Sequence, residues 1–277
     1  MSVIPVFVIS LPGTSRFDAL ERRLIDFNIS FEKIDAIDGY QICDKKLSEL
    51  YDEERALRNI GRPMTRGEIG NALSHRKVWQ TIIERNMSTA LVLEEDAILD
   101  QAFYLFLRTA RSIPAKIGYL SLYTQGGRVF RRPSAQLGDF RLHRAAVGLP
   151  NTVAYVITST YARMLINRET RVGHPTDWPM SFLDREQYLA FPMPVSHNYH
   201  KSVINPDRST AVEQRGEHKT IWPSWIPPWL RAIVYVTGIA YLVRPNRYAG
   251  FIEYFKIQVA LRLRLALRDT VAVDQLE

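Results

Sequence analysis

The chain has a single cysteine and no long apolar run. These two features exclude proteins held by disulfides, cysteine-based metal sites and membrane-spanning helices. Cys43 is the only cysteine among 277 residues, so neither an intramolecular disulfide nor a cysteine-based metal site can form, which favours a reducing compartment. The apolar stretch at residues 232–243 is bracketed by Arg231 and Arg244 and is shorter than the roughly 20 residues that span a bilayer. The N-terminal segment lacks the basic region and cleavage site of a signal peptide. We therefore expect a cytoplasmic protein.

The positive charge is concentrated near the C-terminus. Residues 221–268 hold seven basic side chains against one acid, Glu253, and so carry +6 of the net charge of +7. The same segment contains Trp222, Trp225 and Trp229, followed by an amphipathic stretch. This composition is typical of helices that lie in the plane of an anionic membrane surface. An amphipathic helix packed on the protein's own core is the alternative.

Apolar runs alternate with helix signals along the first 170 residues. Strands are predicted at residues 6–11, 31–39, 89–93, 117–124 and 152–159, and helices at residues 17–27, 65–86 and 160–167. Thr65 and Glu68 have the spacing of a capping box at the start of the second helix. The alternation predicts an α/β fold with a parallel-rich sheet covered on both faces. Residues 126–151, rich in Gly, Pro and Arg, are interpreted as a long loop.

Three adjacent acids end the third predicted strand. The apolar run at residues 90–93 stops at Glu94, Glu95 and Asp96. Ligands of open α/β sheets bind beyond the carboxyl ends of the strands. Two acids separated by one residue can both reach a hard divalent cation, which prefers carboxylate oxygen and keeps positions for phosphate oxygens. A solvated loop start explains the same spacing, so the acids alone leave both interpretations open.

A set of motifs follows in order along the chain, namely VFVISL, FEKIDAIDG, RGEIGNALSHRKVWQTIIERNMSTALVLEEDAIL, AYVITSTYARMLI and HPTDWPM. This collinear set resembles glycosyltransferase family 25, which includes bacterial lipooligosaccharide β-1,4-galactosyltransferases. RGEIGNALSHRKVWQTIIERNMSTALVLEEDAIL, at residues 66–99, is similar to the family's Gly-(Glu)-Ile-Gly-x-x-x-Ser-His helix and the Val-Leu-Glu-Asp-Asp that follows it. Upstream, VFVISL with Arg16 and then FEKIDAIDG match the family's opening strand and its Ala-Val-Asp-Gly element. Downstream, AYVITSTYARMLI and HPTDWPM resemble its later block. The resemblance covers roughly residues 5–205.

The resemblance implies a fold and a chemistry. The fold is α/β of the GT-A-like type, a single Rossmann-type nucleotide-sugar-binding domain. The chemistry is inverting transfer from a UDP-sugar, usually UDP-galactose, to a sugar hydroxyl, with a divalent cation expected to be Mn²⁺. We therefore expect a catalytic domain over residues 1–220 and a basic, Trp-containing, amphipathic helical tail over residues 221–277.

The family's Glu-Asp-Asp maps onto the three acids. Asp96 is the expected metal ligand, and Glu94 is its partner on the ribose or the cation. Glu95 departs from the family by one methylene and would point to the other side of the chain if strand geometry continues. If Glu94 and Asp96 carry the cation and ribose contacts, glutamate at position 95 is tolerated. If Glu95 is itself a metal ligand, the extra methylene changes the geometry of the metal site. The residues expected to bind the donor are Ser10, Arg16, Ser74, His75, Glu94 and Glu95.

Asp177 is the expected catalytic residue. An inverting transfer needs a carboxylate to accept the proton of the acceptor hydroxyl. Alternatively, Asp177 binds hydroxyls of the donor sugar and Asp184 or another acid is the base.

His75 falls on the apolar half of its helix, so a satisfied core histidine and a donor contact both remain open. Tyr155 is expected in the core of the sheet rather than in the site. His197 or His200 could complete a cation shell, and the sequence does not decide between them.

These predictions combine into one expected function. We expect a cytoplasmic enzyme, peripheral on the inner face of the cytoplasmic membrane, that transfers galactose to a lipid-linked oligosaccharide such as the core of a lipooligosaccharide or lipopolysaccharide. UDP-glucose or a UDP-N-acetylhexosamine is the alternative donor. The alternative outside the enzymes is a catalytically silent relative that binds saccharide or membrane. The departure from the family motif at Glu95 would indicate this loss of activity. Nucleic acid is not an expected partner, because the aromatic side chains of the tail are interleaved with Leu and Ile.

Overall fold

The computed structural model describes residues 4–60, 62–146, 149–168, 170–176, 187–197 and 269–276. The predictions for Asp177, Asp184, His200 and tail residues 221–268 lie outside these ranges. The strands of the described residues are β1 (Val6–Ser10), β2 (Glu32–Asp35), β3 (Thr89–Glu94), β4 (Ala97–Leu99), β5 (Tyr119–Ser121), β6 (Arg128–Phe130), β7 (Ala135–Leu137), β8 (Phe140–Arg144), β9 (Ala154–Thr158), β10 (Gln187–Phe191), β11 (Val195–His197) and β12 (Thr270–Ala272). The helices are α1 (Phe17–Asp26), α2 (Asp44–Leu50), α3 (Glu53–Ile60), α4 (Arg66–Glu84), α5 (Gln101–Thr109) and α6 (Ser159–Arg168).

A mixed eight-stranded sheet organises the fold, in the order β2-β1-β3-β9-β5-β10-β8-β7. Only the β1–β2, β1–β3 and β5–β10 pairings are parallel. The predicted α/β class is confirmed, but the prediction of a parallel-rich sheet is wrong. β9 enters between β3 and β5 and runs antiparallel to both, and β8 runs antiparallel to β7 and β10. Strand direction depends on how distant segments pair, which the periodicity of one segment does not encode.

Helices cover both faces of the sheet, as the sequence predicts. Successive residues of a strand point to opposite faces. Val8 and Leu91 accordingly lie in the core cluster that includes α1 and α5. Phe7 and Val92 lie in the opposite cluster, with α4 and α6. β1 and β3 are buried on both faces, and this explains their continuous apolar runs.

Helix α4 is fixed at its start by a cap and by a close backbone approach. The predicted capping box is present: Thr65 Oγ1 accepts from Glu68 N at 3.2 Å, and Glu68 Oε2 accepts from Thr65 N at 2.9 Å. Gly70 packs against Gly39, in the turn after β2. An ideal Cβ on Gly70 would lie 2.4 Å from Ile37 O, so any side chain there would separate the helix from that turn.

Residues 126–151 contain three strands, so the prediction of a long loop is wrong there. β7 and β8 form the edge of the central sheet, and β6 pairs with β12. Leu137 and Leu142 are buried in the main core, and Val129 is buried in a smaller cluster. Each of these strands is only three to five residues long. Such short strands show no clear apolar alternation when glycine and arginine are frequent around them.

The last described residues of the predicted tail return to the domain. β12 pairs with β6 in antiparallel register, and Val271 and Val273 are buried beside Val129 and Leu189. Residues 269–276 are therefore a strand and a 3₁₀ turn rather than part of a helical tail. No helix within the described ranges has the length and apolarity needed to cross a membrane.

Candidate active site

Three segments of the chain meet at the carboxyl edge of the sheet. β1 and β3 are parallel, with Ile9 opposite Glu94, so the loop after Ser10 emerges beside the acids. β11 approaches from elsewhere in the chain, because His197 pairs with Ala97 of the short strand β4, directly after the acids. This is the edge at which open α/β sheets bind their ligands.

Asp96 is contacted by two basic side chains on one oxygen. Arg16 Nη2 and His197 Nε2 each lie 3.1 Å from Asp96 Oδ2. The hydrogen bond to Asp96 raises the pKa of His197 above its ordinary value, although burial acts in the opposite direction. Asp96 Oδ1 is buried, and within the described part of the chain no donor reaches it. One oxygen of Asp96 is thus paired with two basic side chains, while the other has no hydrogen-bond partner among the described residues.

Glu95 ties the loop after β1 to the acidic turn. Its side chain is 8% exposed, and Oε2 accepts from Ser10 Oγ at 2.8 Å, Leu11 N at 3.1 Å and Thr14 Oγ1 at 3.2 Å. Oε1 lies 3.1 Å from Arg16 Nη1. Both oxygens are therefore engaged by the protein. Glutamate is one methylene longer than the aspartate of the family motif, and this length lets both oxygens contact the loop after β1. Glu95 therefore holds that loop in place.

Glu94 contacts a different set of residues from Glu95. Its Oε1 accepts from Thr152 Oγ1 at 2.6 Å and lies 2.9 Å from His75 Nε2. His75 is fully buried, and its Nδ1 lies 2.8 Å from Tyr155 Oη. Glu94 and Glu95 thus differ in surroundings: one is held by a histidine and a threonine, the other by the loop that carries Arg16.

The residues can be tested for their fit to a divalent cation. Within the described residues, no group of three or more His, Cys, Asp or Glu side chains is arranged to hold a metal ion alone. The unsatisfied Asp96 Oδ1, close to His197, nevertheless suits a hard cation. Such a cation would take its other ligands from phosphate oxygens and water, as is usual for nucleotide-bound ions. Among the described residues, Asp96 Oδ1 would provide one ligand of such a cation.

The predicted site residues fall into two groups. Ser10, Arg16, Glu95 and Asp96 are brought together directly, while His75 contacts the neighbouring acid Glu94. Ser74 is buried elsewhere: its Oγ donates to Gly70 O at 2.7 Å and accepts from Ile37 N at 2.8 Å. A donor contact by Ser74 or His75, and a catalytic role for Asp177, stay predictions.

Sequence reasoning missed two hydroxyls and assigned a third to the core alone. Thr14 contacts Glu95, and Thr152 contacts Glu94. Tyr155, interpreted as sheet core, is indeed fully buried, but its hydroxyl contacts His75. A threonine before a strand carries no distinctive signal. The only available indication was the tyrosine itself, since a buried phenol needs a hydrogen-bond partner.

The fold and this edge define a class of protein, namely an α/β protein with a cluster of acidic side chains at the carboxyl ends of its strands. The particular family follows from the comparison of sequences. The family described as "Glycosyltransferase family 25 (LPS biosynthesis protein)" matches residues 3–180. The chain belongs to glycosyltransferase family 25, which confirms the resemblance identified in the sequence.

Individual relatives match shorter stretches. Procollagen galactosyltransferase 1-B of Xenopus laevis is 33% identical over 117 residues, 39% of this chain and 18% of the relative. The "Inactive glycosyltransferase 25 family member 3" of Homo sapiens is 32% identical over 108 residues, 35% of this chain and 17% of the relative. The chain thus spans under a fifth of these relatives.

A solved structure was also found to be similar. It is a glycosyltransferase involved in the glycosylation of the major capsid of PBCV-1, which aligns at 12% identity with a TM-score of 0.29, covering 59% of this chain and 63% of that chain.

Proposed function

We propose that this protein is an inverting glycosyltransferase of GT-A-like fold that transfers a hexose, with galactose from UDP-galactose as the expected donor, to a sugar hydroxyl. The observation that carries the proposal is the meeting of Arg16, Asp96 and His197 at the carboxyl edge of the sheet. Family membership supports glycosyl transfer, and the names of the procollagen galactosyltransferases support galactose.

The donor would bind through the groups that the fold leaves available. Arg16 would turn its guanidinium fork to the diphosphate, a geometry that suits phosphate oxygens. Asp96 Oδ1 would hold a divalent cation, expected to be Mn²⁺, with His197 beside it. When bound, the cation would neutralise the charge on the departing diphosphate. Glu94 would contact either the ribose or the cation.

The reacting end of the site is assigned to Asp177. A carboxylate there would accept the proton of the acceptor hydroxyl as the diphosphate leaves from the opposite face of the sugar. The alternative remains that Asp177 binds the donor sugar and Asp184 is the base. Exchange of each for asparagine distinguishes them, because loss of the base lowers kcat, whereas loss of a donor contact also raises KM for the UDP-sugar.

The proposed acceptor is a lipid-linked oligosaccharide, such as a lipooligosaccharide core, reached at the inner face of the cytoplasmic membrane. The basic, Trp-bearing segment 221–268 supports this location by its composition. Replacing Trp222, Trp225 and Trp229 by alanine should release the protein from anionic liposomes. Transfer to a soluble disaccharide should continue. Unchanged liposome binding would argue instead that the segment packs on the domain.

The proposed function is tested by a screen of UDP-sugars against a small panel of acceptors, with and without Mn²⁺. We expect transfer or slow donor hydrolysis with UDP-galactose that requires the cation and is lost in Asp96→Ala. Asp139→Ala, which removes an exposed acid, is the matched control and should retain activity. Preference for UDP-glucose or a UDP-N-acetylhexosamine would change the donor but keep the chemistry.

A second candidate is a protein that binds saccharide or membrane without turnover. Two observations favour it: a similar human relative is named inactive, and Glu95 stands where the family motif has aspartate. Calorimetry with UDP and Mn²⁺ separates the candidates. Binding of UDP without turnover of any UDP-sugar would support the silent protein, whereas cation-dependent turnover would exclude it.

A further inference from the structure

Glu94 is connected by hydrogen bonds to three aromatic side chains that the proposed chemistry does not use: His75 and Tyr155 are buried, and Trp79 is partly buried. Trp79 Nε1 donates to Tyr155 Oη at 2.9 Å, Tyr155 Oη lies 2.8 Å from His75 Nδ1, and His75 Nε2 lies 2.9 Å from Glu94 Oε1. His75 and Trp79 are one turn apart on α4, while Tyr155 lies on β9 beside β3. The three aromatic side chains thus form a series of hydrogen bonds that ends at the Glu94 carboxylate.

The chemistry of these groups fixes the direction of each hydrogen bond. The indole of Trp79 can only donate, so Tyr155 Oη accepts from it. Burial is the main reason that the pKa of Tyr155 is raised far above its ordinary value, so the phenol keeps its proton. Glu94 can only accept, so the neutral imidazole that suits both neighbours accepts from Tyr155 Oη at Nδ1 and carries its hydrogen on Nε2. His75 therefore donates to Glu94.

The contacts on Glu94 are asymmetric. His75 and Thr152 both reach Oε1, and among the described residues no contact is made with Oε2. The Glu94 side chain keeps 19% exposure, whereas His75 has none. Because Oε1 is held by two hydrogen bonds, the Glu94 side chain loses little further rotamer freedom when a ligand binds Oε2. The smaller entropy loss strengthens ligand binding.

We propose that His75 is a positioning residue, whose Nε2–H, oriented by Tyr155 and Trp79, holds Glu94 so that Oε2 is presented to the donor nucleotide. This inference rests on the proposed function, since it assumes that Glu94 meets the donor. It gives His75 a role that differs from both interpretations left open by the sequence, the satisfied core histidine and the direct donor contact. His75 does not touch the donor, yet it influences donor binding through Glu94.

The rival explanation is that these residues only satisfy one another within the core. Tyr155 stacks on Tyr119, with ring centroids 4.7 Å apart, so a packing role is present in any case. Removing His75 would then lower stability without changing affinity for UDP. A measurement of binding, beside one of stability, is therefore needed to separate the two.

The test compares His75→Leu with His75→Gln, whose amide can donate from near the Nε2 position. We expect His75→Leu to weaken binding of UDP with Mn²⁺ by roughly 10–100-fold, by analogy with the cost of losing the partner that orients a metal ligand. His75→Gln should recover most of this affinity. KM for the UDP-sugar should rise in His75→Leu more than kcat falls.

A second buried histidine provides the matched control. His143 is 1% exposed, but its Nδ1 contacts Phe130 O at 2.9 Å, outside the network around the acids. His143→Leu should lower the melting temperature and leave UDP binding unchanged. If His75→Leu behaves in the same way, the positioning role is overturned. It is also overturned if His75→Gln binds UDP no better than His75→Leu.

A spectroscopic measurement keeps the inference testable if His75→Leu does not fold. Imidazole ¹⁵N spectra of the wild-type protein should show His75 as the Nε2–H tautomer, and Tyr155→Phe should perturb that signal and weaken UDP binding several-fold. An Nδ1–H tautomer in the wild type would overturn the hydrogen-bond direction. If the wild type binds no UDP, the proposed function fails; if it binds UDP and His75→Leu binds equally well, only the positioning role fails.

Discussion

Arg16 Nη2 lies 3.1 Å from Asp96 Oδ2, and the other nitrogen of the same guanidinium lies 3.1 Å from Glu95 Oε1. The two acids are adjacent in sequence and point to different partners, yet one arginine bridges them. A positive charge close to both carboxylates favours the ionised form of each. Arg16 provides that charge from the loop after β1, and the contacts of Glu95 hold the loop in place.

The first prediction concerns Arg16 as a diphosphate contact. Arg16→Ala should weaken UDP binding by roughly tenfold or more, since a hydrogen bond to a charged group contributes about 1.5–3 kcal/mol. Arg16→Lys should lose part of the affinity, because an ammonium group cannot bridge two carboxylates as the guanidinium fork does. Calorimetry with UDP and Mn²⁺ measures both.

Two controls make this prediction specific. Arg22→Ala removes an exposed arginine from the neighbouring helix α1 and should leave UDP binding unchanged. Binding of Mn²⁺ alone, followed by electron paramagnetic resonance, should not weaken in Arg16→Ala, because the variant frees Asp96 from a competing cation. Weaker Mn²⁺ binding with unchanged UDP affinity would contradict the assignment.

The second prediction concerns the length of Glu95. Glu95→Asp restores the residue type of the family motif but should destabilise this protein by about 1–3 kcal/mol, because Ser10 Oγ and Leu11 N would lose their acceptor. Urea unfolding measures the change. Glu49→Asp, at an exposed ion pair with Lys46, is the control for shortening a glutamate. Equal stability of Glu95→Asp and wild type would mean that the loop relaxes onto the shorter side chain.

The third prediction concerns the C-terminal strand. Val271→Ala combined with Val273→Ala removes four buried methylene equivalents and should cost roughly 3 kcal/mol at about 0.8 kcal/mol each. Gln275→Ala, at an exposed position of the same segment, should cost little. Thermal or urea unfolding reads out both. If the double variant is as stable as the wild type, β12 does not contribute to the stability of the domain.

This strand also determines how the predicted membrane segment has to be tested. Truncation after residue 220 would remove β12 together with the basic segment, so a loss of folding could not be attributed to either. Substitutions within residues 221–268 leave the strand in place. Membrane binding and domain stability can then be measured separately.

Local features of the sequence predicted much of the fold around the site. The capping box at Thr65 and the apolar period that follows it located α4, and the run before Glu94 located β3 and its acids. These signals arise from contacts between residues close in sequence. The motif at residues 66–99 then indicated the family, because its residues occur together in one order.

Features that depend on distant pairing could not be predicted in the same way. His197 reaches Asp96 only because β11 pairs with β4, about one hundred residues earlier. The direction of β9 likewise depends on its two neighbours in the sheet. Thr152 reaches Glu94 across 58 residues, and nothing in its local sequence distinguishes it from any threonine that precedes a strand.

The last prediction is a pH dependence that arises away from the site. Burial lowers the pKa of His143 below its ordinary value of 6.5, although its hydrogen bond to Phe130 O acts in the opposite direction. The unfolded chain therefore takes up this proton at a higher pH than the folded protein does. The stability contributed by neutral His143 is present above about pH 6.5 and is lost as the pH falls toward the folded-state value.

A variant that cannot titrate isolates this contribution. His143→Asn can still offer an amide hydrogen near the Nδ1 position to Phe130 O. We expect the free energy of unfolding in urea to fall less between about pH 7.5 and about pH 5 in this variant than in the wild type. An identical fall in both proteins would show that the pKa of His143 is the same in the folded and unfolded states, and the low pKa inferred from its burial would then be wrong.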